Sequence, residues 1–435
     1  MPRFLHLADV HLGFDKYGTV QRTRDFYEAF NDALTQYAVH PAVDFVLISG
    51  DLFEYRQVLP SVLNQAKLCL GRLSEAGIPV FAIEGNHDYR PYGTRTSWLR
   101  YLADWDYLIL LEPDEEGRLV PWSAETKSGG YFDLDCGVRV IGSQWYGAAA
   151  PLAIQTLAQQ IDRLPPGPEH TVMMFHHGLE GYVSRYAGAL RYQDFLPLRE
   201  AGIDYLALGH IHRAYSVEDW IYNPGSIEAN SIIENQEQNP RGVYWVEIDR
   251  SGVTAQLKRT YRQRPIYRLS YRLTAQQTRT EFVNAVNALV QTHAEQGRTQ
   301  SAIVELKITG NAGFDRFEIN LREWQGQLQQ CTQALIFLLK YEVTAVEYET
   351  YIDQADHLPP RLEIERTIFQ DFVAAHAQYR DQAEFFSQGL IDLKHQILSQ
   401  APDADLYQFV ETLLQPQSPS SQEAPSLISP PEPSS

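Results

Sequence analysis

Five short motifs concentrate histidine, aspartate and asparagine in the first half of this 435-residue chain. They are Asp9-Val-His11, Gly50-Asp51, Gly85-Asn86-His87-Asp88, His176 and Gly209-His210-Ile211-His212. Singly, each has an ordinary reading. Asp-x-His after a strand serves as a turn or helix cap, and Gly-Asp is a common turn dipeptide. Gly-Asn-His-Asp suits a tight loop, because Gly and Asn tolerate positive φ. Together they point to metal chemistry. Mixed imidazole, carboxylate and amide donors suit Mn²⁺ or Fe²⁺ and accept Zn²⁺, whereas Ca²⁺ and Mg²⁺ favour all-oxygen sites. Seven such side chains are enough for two adjacent divalent ions if one carboxylate bridges them. Two ions about 3.5–4 Å apart bind a scissile phosphate and activate water for in-line attack.

Strand ends must position these residues. Apolar runs at Arg3–Ala8, Asp44–Ser49, Val80–Ile83, Val138–Ser143, Thr171–Phe175 and Tyr205–Leu208 each stop abruptly at polar residues or glycine. Between them lie amphipathic stretches such as Thr23–Tyr37 and Ser61–Glu75. This rhythm predicts an α/β domain with its working residues on loops after strands. Phe132–Leu134 and Gly242–Asp249 read as further strands, so the sheet is mixed or doubled rather than simply parallel.

The first domain is expected to close near Leu257, covering residues 1–257. Residues 258–350 read as a small α/β cap. Its strands are Ile266–Leu273, Ile303–Thr309 and Ala334–Val343, with helices Thr280–His293 and Ile319–Gln330 between them. Residues 356–414 are helix-forming, with apolar positions at helical spacing. The tail 415–435 is rich in Pro, Ser, Gln and Glu and is expected to be disordered.

Composition narrows the classes. Hydrophobic residues make up 44% of the chain, enough for a substantial core, yet no apolar run is long enough to span a bilayer. The N-terminus lacks a secretory pattern, and three scattered cysteines argue against a disulfide framework, so a cytoplasmic protein is expected. A net charge of −19 argues against a protein that coats DNA alone, since non-specific affinity comes from Lys and Arg on phosphates. A hydrolase that grips locally, or borrows a partner's basic surface, escapes that objection.

One segment runs against the overall charge. Lys258 to Arg272 is basic, contains no acidic residue and interleaves aromatics, which would allow phosphate pairing and base stacking. Arg259, Arg262, Arg264, Tyr267 and Arg268 are its candidate nucleic-acid contacts. The plainer reading is a half-buried strand with a cationic outer face. His6, His40, His170, His293, His357, His376 and His395 stand apart from the motifs and carry no assigned role. His177 should point away from its neighbour His176 if that strand is extended.

The runs Leu5-His-Leu-Ala-Asp-Val-His-Leu-Gly13, Gly50-Asp-Leu-Phe53, Gly-Asn-His-Asp and Gly-His-Ile-His resemble the calcineurin-like metallophosphoesterases. With Asn223-Pro-Gly-Ser-Ile-Glu228 they most resemble the SbcD-type nuclease subunits of double-strand-break repair complexes. The resemblance spans roughly residues 3–230. It implies two mixed β-sheets flanked by helices, with a small α/β cap and a C-terminal helical segment. One ion falls to Asp9, His11 and His212, the other to Asn86, His176 and His210, with Asp51 bridging. His87 would contact the phosphate and protonate or stabilise the leaving oxygen, and Asp88 would orient it.

Two divalent ions are therefore implied, Mn²⁺ first and Fe²⁺ or Zn²⁺ next, for exonuclease or endonuclease action on DNA in repair. The resemblance also implies an SMC-like ATPase partner of the SbcC type, bound through helices beyond the cap. It leaves room for a homodimer and calls for no membrane. One position departs from the pattern. Glu54 stands where the nuclease branch often has histidine after Gly-Asp-Leu-Phe, and a carboxylate there is expected to repel DNA phosphate. The same centre would also serve a small phosphodiester or phosphomonoester, and a scaffold with a decayed site is the non-enzymatic alternative.

Overall fold

A computed structural model describes residues 1–345, 361–374, 379, 382–399 and 401–414, apart from positions 92, 95, 183–188 and 235–239. The expected tail, 415–435, lies outside the described residues. Two six-stranded sheets dominate. In chain order the first strands are β1 (Arg3–Leu7), β2 (Phe45–Ile48), β3 (Val80–Ala82) and β4 (Ile109–Leu110). Next come β5 (Tyr131–Leu134), β6 (Val138–Ile141), β7 (His170–His176) and β8 (Tyr205–Gly209). Then follow β9 (Tyr215–Val217), β10 (Ile221–Asn223), β11 (Val243–Asp249) and β12 (Gly252–Lys258).

One sheet has the order β12-β11-β1-β2-β3-β4, the other β5-β6-β7-β8-β10-β9. β1 to β4 are parallel, and so are β6 to β8. Antiparallel β11 and β12 extend the first sheet, and antiparallel β5 and β9 edge the second. Both sheets are therefore mixed, as the sequence implied.

Alternation within strands builds the layers. Phe4 of β1 and Phe45 and Leu47 of β2 pack between the sheets against Val140, Val172 and Met174. Their neighbours Leu5, Leu7, Val46 and Ile48 face the other way. That outer face is covered by α1 (Val20–Leu34), α2 (Pro60–Glu75) and α3 (Trp98–Asp104), which bury Phe26, Phe30, Leu70 and Leu102 on it. The second sheet's outer face is covered by α4 (Ala150–Ile161) and α5 (Tyr192–Glu200). The result is a four-layer α/β/β/α sandwich. His6 is part of this core. Its ring nitrogens meet the Tyr205 hydroxyl at 2.9 Å and the Leu208 carbonyl at 3.0 Å, and burial drives its pKa down to about 3.

A third sheet of β13 (Ile266–Leu273), β14 (Ile303–Ala312) and β15 (Ile336–Ala345) follows, with α6 (Arg279–Glu295) and α7 (Leu321–Thr332) between its strands. Thr278 and Glu281 form a capping box that starts α6. Contacts divide the chain into two compact units. Met1–Gly310 with Arg316–Val343 form one, which includes most of the small sheet.

The other unit comprises Asn311–Asp315 and the chain from Thr344. It contains α8 (Arg361–Ala374), α9 (Ala383–Leu398) and α10 (Asp403–Leu414). Lys394 of α9 pairs with Glu365 of α8 at 2.5 Å. Ile368, Phe372, Leu398 and Tyr407 of this unit are all at least half exposed. Among the described residues, no helix is long and apolar enough to cross a membrane.

Candidate metal centre

The expected ligands cluster at the C-terminal ends of parallel strands from both sheets. Asp9 and His11 follow β1, Asp51 follows β2, and Asn86 and His87 follow β3. His176 ends β7, while His210 and His212 follow β8. Asp9, His11, Asp51 and His210 take left-handed backbones, with φ of 51°, 50°, 55° and 81°. Such strain in non-glycine residues persists only where the surroundings enforce it, and it gathers at functional sites. Two motif glycines are dictated by crowding. A Cβ on Gly50 would lie 2.3 Å from His176 Nδ1, and one on Gly85 would lie 2.1 Å from Asp51 Oδ1.

Among the described residues, three groups of ligand atoms converge; one joins His11 to Glu54 and His87, and the other two are made of the expected ligands. Asp9, His11 and His212 form the first, with the Nε2 atoms of the two histidines 3.1 Å apart. Asp51, His176 and His210 form the second. Asn86 Oδ1 completes it, 3.2 Å from His176 Nε2 and 2.8 Å from His210 Nδ1. Basic nitrogens gathered around buried carboxylates in this way are the donor set of a mid-row divalent cation. The residues fit the metal sites that the motifs imply.

The remaining ring nitrogens are pinned from outside. His176 Nδ1 donates to the Ser49 carbonyl at 2.7 Å, which turns Nε2 toward Asp51. His212 Nδ1 lies 3.3 Å from Glu234 Oε1. Metal-binding histidines are commonly held in this manner, which fixes both tautomer and ring orientation.

The electrostatics follow. Burial opposes charge on both rings, yet Asp51 raises His176 to about 9, and Glu234 raises His212 to about 9. Burial also opposes charge on Asp51, but His176 holds that carboxyl well below its usual range. His210 is driven down to about 3 by burial and the nearby His176.

His87 stands at the rim, with about a third of its side chain exposed. Its Nδ1 donates to the Glu54 carbonyl at 2.7 Å, and its backbone N–H donates to Asp51 Oδ1 at 2.8 Å. The next residue, Asp88, is buried beneath the loops. Its carboxylate accepts from the amides of Leu52 at 3.0 Å, Phe53 at 2.9 Å and Gly85 at 3.3 Å. It therefore ties the loop after β2 to the loop after β3. Burial and the Asp51 charge push its pKa up to about 7, against the pull of those three donors.

Glu54 lies beside the first group. Its carboxylate turns inward to His11 Nδ1 at 2.8 Å rather than outward toward a phosphate.

Two participants escaped the sequence reading. Trp145, after β6, stacks on His177 and lies 5.2 Å from His210 and 5.7 Å from His176, centroid to centroid. It occupies a loop after a parallel strand, so the rule that located the other motifs could have found it. Glu234 carries no such signal. His177, buried beside Trp145, approaches the carbonyls of Gly178 and Gly147 instead of joining the ligand groups.

The basic segment is largely spoken for. The Arg264 side chain is mostly buried and bonds Asp25 of α1, while its backbone N–H donates to Glu228 at 2.6 Å. Arg262 pairs with Glu28 at 3.0 Å, and Arg268 with Glu305 at 3.3 Å. Tyr261 is buried, its hydroxyl donating to the Ile227 carbonyl at 2.8 Å. Arg259 is exposed and Tyr267 partly so. Arg262, Arg264 and Arg268 thus meet acidic partners from distant parts of the chain, while Arg262 stays exposed.

Comparison with known proteins agrees with this geometry. Residues 2–214 match the calcineurin-like phosphoesterase family. The chain is 25% identical over 263 residues to the DNA double-strand break repair protein Mre11 of Saccharolobus solfataricus, covering 58% of this chain and 61% of that one. It is 31% identical over 219 residues to Mre11 of Aeropyrum pernix, covering 49% of each chain. With Mre11 of Methanosarcina acetivorans it shares 26% identity over 316 residues, which are 71% of this chain and 46% of the relative. The chain therefore spans about half the length of the relatives it matches.

Proposed function

We propose, from the match of residues 2–214 to the calcineurin-like phosphoesterase family, that the chain is a two-metal-dependent nuclease. It hydrolyses phosphodiester bonds of DNA, as an exonuclease or endonuclease in repair, and works in the cytoplasm beside an SMC-like ATPase. The observation that carries this reading is the adjacency of the two ligand groups with His87 at their rim. Asp9, His11 and His212 would hold one ion, and Asn86, His176 and His210 the other, with Asp51 between them. Mn²⁺ is the favoured ion, ahead of Fe²⁺ or Zn²⁺. Such a pair supplies Lewis acidity to the phosphate and lowers the pKa of attacking water.

The chain's own residues do the rest. Asp51 receives the His87 amide, which keeps that imidazole beside the centre. With Nδ1 committed to the Glu54 carbonyl, His87 has Nε2 left for a phosphate or departing sugar oxygen. Protonating or stabilising that oxygen is general-acid catalysis. The names of the Mre11 relatives support DNA as the substrate. Apolar side chains exposed on α8, α9 and α10 support a protein partner, whose basic surface would offset the charge of −19. A homodimer is compatible with the same reading.

The second reading is a small-substrate phosphoesterase. It draws on that acidic charge and on the guanidiniums already paired at Arg262, Arg264 and Arg268. Purified protein with Mn²⁺ should degrade end-labelled single- or double-stranded DNA. If it cleaves only a chromogenic phosphodiester, the small-substrate reading wins; if it cleaves neither, both readings fail.

A further inference from the structure

An imidazole that donates one nitrogen to a cation is commonly held through the other, and the holding group sets its tautomer and basicity. Ser49 does this for His176 and Glu234 for His212. For His11 the group is Glu54. Its Oε2 lies 2.8 Å from His11 Nδ1, while His11 Nε2 faces His212. Both facing atoms are shut off from solvent, and neither makes a well-aligned hydrogen bond, with the other or elsewhere, so what links them is the close approach of a carboxylate to a ring nitrogen.

The backbone enforces the meeting. His11 N–H donates to Asp51 O at 3.0 Å, Leu12 N–H to Leu52 O at 2.9 Å, and Glu54 N–H to Leu12 O at 3.0 Å. This short ladder fixes Glu54 in register with His11. The Glu54 carbonyl meanwhile accepts the Nδ1–H of His87 at 2.7 Å. One residue thus braces a metal ligand with its side chain and the rim histidine with its backbone.

We infer that Glu54 is a positioning residue for the ion held by Asp9, His11 and His212: its carboxylate keeps the proton of His11 on Nδ1 and so presents Nε2 as the donor. This rests on the two-ion reading above. It also gives Glu54 a role in which a carboxylate near a phosphate-binding centre is not a liability, because its charge is directed at His11.

The test is Mn²⁺ titration of the full chain by calorimetry and electron paramagnetic resonance, with ¹⁵N-histidine spectra of the metal-free protein. Unmodified protein should bind two ions. Glu54→Gln should weaken one of them by about 10- to 100-fold, the usual effect of removing such a partner, and leave the other unchanged. Glu54→Ala should weaken that ion at least as much and shift one histidine away from the Nδ1–H tautomer. Unaltered affinity and tautomer in Glu54→Ala would overturn the role. So would a third ion in the unmodified protein that disappears in Glu54→Gln, since Glu54 would then be a ligand with His11 and His87. Parallel loss of both ions with a lowered melting temperature would mark it as merely structural. Fewer than two ions in the unmodified protein would instead bring down the two-ion reading itself.

Discussion

The carboxylate of Asp88 accepts the backbone amide of Phe53 at 2.9 Å, and with it the amides of Leu52 and Gly85. All of these groups are buried. Removing the acceptor strands three donors, each costing about 1–3 kcal/mol when left unsatisfied. Asp88→Ala is therefore expected to lower the melting temperature and, by loosening the loops that carry Asp51 and Asn86, to reduce bound metal and activity together. Asp88→Asn retains one acceptor oxygen and should fall between the two. A variant with normal melting and metal content but a reduced rate would support the orienting role on His87 instead.

Asp51 should be the most sensitive ligand. It is buried between His176 and the His87 amide and is the carboxylate proposed to bridge. Asp51→Ala is expected to abolish hydrolysis and reduce bound metal, whereas substituting Asn86 or His210 should mainly weaken the second ion. Atomic emission of dialysed protein separates these outcomes. Unchanged metal content or full activity in Asp51→Ala would defeat the two-ion assignment.

His87 should behave otherwise, because it stands outside both of the ligand groups that would hold the two ions. His87→Asn is expected to retain two ions and bind DNA while losing about 10²–10⁴ of the rate, the usual range for a general acid. Collapse of metal occupancy would make His87 a ligand instead.

These contrasts mark what a sequence can carry. The ligand motifs were legible because strands end where polarity changes, and α/β folds put their sites there. Gly50 and Gly85 belonged to the pattern for a reason that became plain only in three dimensions, since any side chain would strike His176 or Asp51. The partners of Asp88, Glu54 and Arg264 could not be read in this way. Asp88 reaches back 35 positions to Phe53 and Arg264 reaches 239 to Asp25, and no local periodicity encodes either. A basic run therefore does not reveal that its acidic partners lie on α1 and β14. The short strands β4, β9 and β10 and the antiparallel edge β12 were also missed, because their pairing supplies what local composition does not.

The protonation of the centre predicts how metal binding depends on pH. His176 and His212 are each raised to about 9, so the metal-free protein carries both as imidazolium at pH 7. Their folded values lie above the ordinary imidazole value of about 6.5. The stability they contribute is therefore complete below that pH and is lost as the pH rises through about 9. Metal requires the neutral ring, so binding at pH 7 should release about two protons. His210, already neutral, should release none. Mn²⁺ affinity is thus expected to climb from pH 6 to 9 while the metal-free melting temperature falls. Calorimetry in buffers of different ionisation enthalpy counts the protons directly. A pH-independent affinity would mean that the two rings are neutral before metal arrives.

The last prediction concerns the helical unit. Ile368 and Phe372 lie one turn apart on α8 and are 50% and 62% exposed, while Tyr407 on α10 is 73% exposed. Residues at that spacing share one helix face. An apolar face of this kind marks an interaction surface when it is contiguous. If it receives the coiled coil of an SMC-like ATPase, a chain ending at residue 345 should remain folded, metal-loaded and active on short single-stranded DNA. It should also lose co-purification with the ATPase and any ATP-dependent processing of blocked duplex ends. Phe372→Asp with Ile368→Asp in the full chain should reproduce that loss without truncation, because charges on the face repel an apolar partner. If the helices instead cover core belonging to the rest of the chain, truncation will expose it, lower the melting temperature and cause aggregation. A circular-dichroism melt and a pull-down on both variants distinguish the two. A soluble truncated chain that still captures the ATPase would place the contact elsewhere and end this assignment.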